Sequence, residues 1–252
     1  MIARDRLVDA CTQLLHPDRF KDYTLNGLQV AGRERVQRVL SGVTACQALL
    51  DEAVAWEADL ILVHHGYFWK NEPVAITGMK QRRLATLLRH DINLLAYHLP
   101  LDAHATLGNN ACLGDRLGLR ATACADGELG EGLLWLGEPA EPRDTPAMAR
   151  YLEAVLGRAP TTVQGHERAI RRIAWCTGGA QDMIASAAEA GADAFISGEI
   201  SERTTHQARE MGISYFAAGH HATERYGVQA LGARLAEELG IEHRFVDIDN
   251  PA

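Results

Sequence analysis

The run Asp59-Leu60-Ile61-Leu62-Val63 constrains this chain more than any other segment. Four branched apolar residues in succession, with no alternation, belong to a strand covered on both faces. A helix-like stretch precedes it from Ala45 to Trp56, and before that a Val- and Leu-rich strand runs from Val36 to Val43. Arg82 to His90 reads as another helix and Ile92 to Tyr97 as another buried strand, while the opening stretch to Leu15 is an amphipathic helix stopped by His16-Pro17. Strands buried on both faces need helices on both sides, so the fold class is α/β. Two of these strands run directly into histidines, His64-His65 and His98, at the carboxyl ends where open α/β sheets bind ligands.

The same plan recurs from Ile170. A shift of 134 residues lays Val36–Gly66 on Ile170–Ile200, with Arg38 on Arg172, Gln47 on Gln181, Asp59 on Asp193 and Leu60–Val63 on Ala194–Ser197. A shift of 122 lays His98 on His220 and Asp102 on Glu224. This pattern predicts one α/β domain over residues 1–252, built from two pseudo-symmetric halves (about 1–110 and 170–252) joined by a connecting segment (about 111–169) and packed as layers around a central site. In the second copy Gly198-Glu199 stands where the first has His64-His65, so the halves do different work.

The two adjacent-histidine pairs, His64-His65 and His220-His221, and the two His-x-x-x-carboxylate pairs suggest a metal site. Neutral imidazoles with hard carboxylate oxygens suit a pair of first-row divalent ions. If the backbone stays extended, His64 and His65 diverge, and each serves a different ion. His220 and Glu224 project from one helix face a turn apart, as chelating pairs do, although an ordinary surface pair has the same spacing. Pro100 blocks a regular helix through His98-Leu99-Pro100-Leu101-Asp102, so Asp102 is read as a ligand and His98 as a support or proton carrier. His221 and Arg225 flank the second pair and either act on substrate or are solvated. Cys176-Thr177-Gly178-Gly179 is a tight turn in preference to a phosphate cradle. Tyr67-Phe68-Trp69-Lys70 offers either a stacking surface for a planar phosphorylated substrate or a subunit contact.

Composition bears on partners and compartment. A net charge of −8 argues against a broad nucleic-acid face, and five scattered cysteines without C-x-x-C spacing fit a reducing cytosol. The charged amino terminus lacks a signal-peptide core or membrane span, so the expectation is a cytoplasmic protein.

Five motifs in order, Thr24-Leu25-Asn26-Gly27-Leu28-Gln29-Val30, Val63-His64-His65-Gly66, His98-Leu99-Pro100-Leu101-Asp102, Ser197-Gly198-Glu199 and Gly219-His220-His221-Ala222-Thr223-Glu224, resemble those of the dinuclear metal-centre family. Its members are also called type 2 GTP cyclohydrolase I homologues or Nif-three-like proteins. The resemblance covers essentially the whole chain in its compact form, without the inserted domain of longer members. It implies metal ligands His64, His65, Asp102, His220 and Glu224, with Glu224 bridging two divalent ions (zinc, iron or manganese), and a toroidal homohexamer with its sites facing an internal cavity. Ser-Gly-Glu departs from the Thr-Gly-Asp of many relatives, which leaves the role of Glu199 open. The function so implied is metal-dependent hydrolysis of a small molecule, a purine nucleotide such as GTP, with His98 or His221 carrying protons. A phosphoesterase, or a metal-binding hexameric scaffold or regulatory protein without robust catalysis, are the alternatives.

Overall fold

In the computed structural model, which describes residues 1–127 and 130–252, the chain divides into two compact units. The first comprises Met1–Leu101 and Gly227–Asp249, and the second Asp102–Tyr226 and Asn250–Ala252.

Strands and helices are numbered in chain order. The first unit holds β1 (Ile2–Ala3), α1 (Arg4–Leu15), β2 (Gly27–Val30), β3 (Arg35–Val36), β4 (Arg38–Thr44), α2 (Gln47–Ala55), β5 (Leu60–His65), α3 (Gly78–Arg89) and β6 (Asn93–Ala96), joined near the end of the chain by β13 (Glu242–Phe245). Its main sheet has the order β13-β4-β5-β6-β2, parallel except for β2, which pairs antiparallel with β6. Leu60, Ile61, Leu62 and Val63 are fully buried, as the uninterrupted apolar run requires. Each such side chain withdrawn from water stabilises the fold by about 1.5–3 kcal/mol. Leu49, Leu50 and Ala53 from α2 and Leu84 and Leu87 from α3 pack in the same core as Ile61, Val63 and Leu94.

After α4 (Leu99–Ala103), where the unit boundary falls, the second unit holds α5 (Asn109–Arg116), β7 (Leu119–Gly127), β8 (Gly130–Pro139), α6 (Thr145–Leu156), β9 (Thr161–Val163), β10 (Ile173–Trp175), α7 (Ile184–Glu189), β11 (Ala194–Ser197), α8 (Glu202–Met211), β12 (Ser214–Ala217) and the start of α9 (His220–Leu239). Its sheet has the order β7-β8-β10-β11-β12-β9. The segment read from the sequence as a connector, about 111–169, therefore supplies the β7–β8 hairpin, α6 and β9 to this sheet and its core. The pairings that attach them, β8 to β10 and β9 to β12, join residues distant in sequence, so no local periodicity announces them.

Four strands of each unit pair in the same pattern. β4-β5-β6-β2 and β10-β11-β12-β9 share one order and one set of directions: parallel, parallel, antiparallel. The repeated aspartates do the same work. Asp59 accepts the backbone N–H groups of Gln37 and Arg38 (2.7 and 2.8 Å) and Arg33 Nη1 (2.7 Å). Asp193 accepts those of Arg171 and Arg172 (3.0 and 3.1 Å) and Arg168 Nε (3.0 Å). Each carboxylate thus ties the start of one strand to the start of its parallel neighbour, satisfying N–H groups that the ladder leaves over.

Candidate metal centre

In the first unit, β5 carries His64 and His65 and the turn after β6 carries His98. The His64 ring is buried, and its Nδ1–H donates to the Tyr97 carbonyl oxygen at 2.9 Å, which fixes the tautomer and puts the ring's lone pair on Nε2. His65 Nδ1 pairs with Thr44 Oγ1 at 3.2 Å. His98 Nδ1 lies 2.7 Å from Asp22 Oδ1. Asp22 also accepts Asn26 Nδ2 and the backbone N–H of Leu99. Burial acts to raise the Asp22 pKa, but the hydrogen bond and charge of His98, with Asn26 and Leu99, hold it below the ordinary value. The three imidazoles offer ligand atoms within 4.8 Å of one another, so they can hold a metal ion. The His64 and His65 rings lie only 4.5 Å apart, so at the end of the strand the two side chains converge and do not diverge as the extended-backbone argument expects.

Gly66 follows because nothing larger fits: a Cβ there would sit 2.3 Å from Gln29 Oε1 and 2.6 Å from Ala96 Cβ. The aromatic run splits in role. Tyr67 is buried, its hydroxyl donating to the Ala45 carbonyl oxygen, so it belongs to the core. Trp69 stands edge-on to His98 at 5.0 Å and beside His65 at 6.0 Å.

In the second unit, three carboxylates and one imidazole lie close together. α9 begins at His220, whose Nε2 is 3.0 Å from Glu224 Oε2 one turn along and whose Nδ1 is 2.7 Å from Glu199 Oε1. Burial lowers the His220 pKa, but Glu224 and then Glu199 outweigh it and hold it at about 9. Glu224 is 3% exposed and Asp102 5%, and their carboxylate oxygens lie within 4.8 Å. Asn109 Nδ2 (2.8 Å) and Thr177 Oγ1 (3.2 Å) donate to Asp102 Oδ1 and fix its plane. Pro100 does not prevent the helix around Asp102: α4 runs from Leu99 to Ala103 with the proline in its first turn, where no intrahelical N–H is needed.

The turn at Cys176–Gly179 is not a phosphate cradle, because the N–H of Thr177 goes to Asn110 Oδ1 and that of Gly178 to Thr223 Oγ1. Its contribution is space. Gly178, at φ +67°, lies so close that a Cβ would fall 2.0 Å from Glu224 Oε1. His221 is buried in the first turn of α9, its backbone N–H donating to the Ala252 carbonyl oxygen. Arg225 is held by the Leu156 carbonyl oxygen and its neighbour Tyr226. Sequence reasoning missed Asp22, which carries no motif of its own, and left Glu199 unassigned.

An α/β chain in which the strand ends of one unit present three imidazoles whose ligand atoms could hold a metal ion defines a class of protein. The chain belongs to the Duf34/NIF3 (NGG1p interacting factor 3) family, whose profile matches residues 2–251. It is 54% identical over 251 residues to a Pseudomonas aeruginosa protein named GTP cyclohydrolase 1 type 2 homolog, covering 100% of this chain and 99% of that one. It is 58% identical over 234 residues to a Yersinia pestis protein of the same name, covering 92% and 93%. Among solved structures it resembles the protein ybgI, described as of unknown function, at 49% identity and TM-score 0.95 over 100% of both chains. It also resembles TTHA1606 from Thermus thermophilus, at 34% identity and TM-score 0.88, again over 100% of both. Among the described residues no helix is long and apolar enough to cross a membrane.

Proposed function

We propose that this chain is a metal-dependent hydrolase of a purine nucleotide, in which His64, His65, Asp102, His220 and Glu224 would hold two divalent ions. The observation that carries the reading is Glu224 itself: a carboxylate 3% exposed, 3.0 Å from one imidazole and within 4.8 Å of the equally buried Asp102. Two buried carboxylates at that distance repel unless a cation lies with them, and oxygen with imidazole nitrogen is the donor set of zinc, iron or manganese. Ions bound there supply Lewis acidity and make water a competent nucleophile near neutral pH. His64 keeps its tautomer through Tyr97, and Asp102 its orientation through Asn109 and Thr177. His98, backed by Asp22, and His221 are the proton carriers, with His98 accepting at Nε2 because Nδ1 is held.

The name shared by the relatives makes GTP the first substrate to try, with attack at the imidazole C8 of the base. The five free cysteines suit the cytoplasm, and the assembly we propose is a homohexamer, which light scattering would report directly. Metal analysis of purified protein should give two divalent ions per chain, and the reloaded protein should open the purine ring and release formate. Release of inorganic phosphate would identify a phosphoesterase. Full metal loading with no turnover of any nucleotide would refute the hydrolase reading in favour of a metal-ordered scaffold.

A further inference from the structure

The Ser197-Gly198-Glu199 segment stands, by the repeat, where the first half has ligand-bearing Val63-His64-His65, yet none of its side chains belongs to the proposed ligand set. Its geometry gives it a different task. Gly198 packs so tightly that a Cβ would sit 2.7 Å from both His220 Cα and the Gly178 carbonyl oxygen, so only glycine lets the end of β11 approach the start of α9. That approach brings the next side chain, Glu199, to 2.7 Å from His220 Nδ1. The Glu199 backbone is pinned independently, its carbonyl oxygen accepting the Tyr215 hydroxyl at 2.5 Å. The first half reaches the same arrangement by another route: His98, the repeat-equivalent of His220, has its Nδ1 held at 2.7 Å by Asp22, a residue outside the repeated segment.

We infer that Glu199 is a positioning residue of the metal centre, its carboxylate holding the proton of His220 on Nδ1 so that Nε2 presents its lone pair to the ion shared with Glu224. Both His220 nitrogens face carboxylates, Nε2 that of Glu224 at 3.0 Å and Nδ1 that of Glu199 at 2.7 Å, so an ion taking the place of the Nε2 proton leaves the remaining proton on Nδ1. With a carboxylate on Nδ1, the coordinating tautomer is fixed, the ring cannot rotate away, and the donor nitrogen becomes more basic. The position that donates a ligand in one half has become, in the other, the support of a ligand. The inference rests on the metal-site reading above.

The test is titration of the full-length, metal-stripped protein with Co2+, followed by its visible absorption and by calorimetry. Glu199→Ala should weaken one of the two ions by about 10–100-fold, the range for loss of an orienting partner. It should leave the other ion, the circular dichroism and the melting temperature unchanged, because the backbone contact to Tyr215 remains. Glu199→Asp should recover much of the loss, since a carboxylate is restored. Glu202→Gln, which removes an equal charge from an exposed side chain paired with His206 on the same helix, should change neither affinity more than about threefold. Wild-type Co2+ affinity and spectrum in Glu199→Ala would overturn the inference, as would equal weakening in Glu202→Gln, which would make the effect one of general charge. Failure of the wild-type protein to bind Co2+ at all would overturn the metal-site reading and this inference together.

Discussion

Replacing Gly178 by alanine adds one methyl group at the point where the chain leaves least room for it. The new Cβ would lie 2.0 Å from Glu224 Oε1, 2.9 Å from its Cδ and 3.2 Å from His220 Nε2, whereas ordinary van der Waals contact begins at 3.4 Å. The carboxylate must therefore move by about 1.4 Å. It is the far end of a flexible side chain, so it can swing aside without disturbing β10 or α9. The fold loses only the cost of an L-residue at φ +67°, about 1–2 kcal/mol, or a few degrees in Tm for a chain of this length. A metal ligand tolerates far less, since bond distances in working sites hold to within about 0.2 Å. Gly178→Ala should thus fold, with a near-native circular dichroism spectrum, while losing one divalent ion or binding it at least about 10–100-fold more weakly. Calorimetric titration with Zn2+ beside a thermal melt separates the two effects. Unchanged affinity for both ions in a folded variant would show that Glu224 does not contribute to metal binding from the position described.

Glu224→Gln keeps the size of the side chain but removes the charge two cations would share, so one ion should be lost or much weakened and any turnover should fall steeply. Retention of both ions at wild-type affinity would return Glu224 to the status of a buried partner of His220. Because Glu224 and Glu199 hold His220 at about pKa 9, the imidazole is protonated in the metal-free protein at neutral pH and must lose that proton on coordination. Titrations in buffers of different ionisation enthalpy should show net proton release at pH 7, with affinity rising as pH approaches 9. Zero proton release would contradict the assignment. Asp193 has a depressed pKa because the backbone N–H groups of Arg171 and Arg172 and the Arg168 side chain outweigh the opposing effect of burial. The stability it adds is present above the ordinary carboxylate pKa and is lost as pH falls through its lower folded value. Asp193→Asn should accordingly melt a few degrees lower at pH 7, the equivalent of about 1–2 kcal/mol, with the gap to wild type closing below about pH 4. A gap that persists into acid would assign the loss to packing and not to charge.

The sequence alone determined the features that are written locally. A short unbroken apolar run fits a covered strand, so Leu60–Val63, and with it the α/β class, is legible in the order of the residues themselves. The 134-residue shift aligns two segments that each bury a strand and anchor it with an aspartate, Asp59 in one and Asp193 in the other. The placing of His64, His65, His98 and His220 at strand ends follows from the same runs. What the sequence could not decide depends on which distant segments meet. The antiparallel strands β2 and β9, and the inclusion of the β7–β8 hairpin in the second sheet, are fixed by backbone pairing between residues far apart, which leaves no periodic trace. The same holds for side-chain pairs: Asp22 meets His98 across 76 positions, and Glu199 meets His220 across 21. Tyr67 belongs to the core because its hydroxyl reaches the Ala45 carbonyl oxygen, a contact that its place in an aromatic run does not announce. Gly178 and Gly198 read as turn residues in a string of letters. Only the folded backbone shows that each is a space kept clear beside Glu224 or His220, because steric exclusion is a property of the atoms brought near and not of the residue itself.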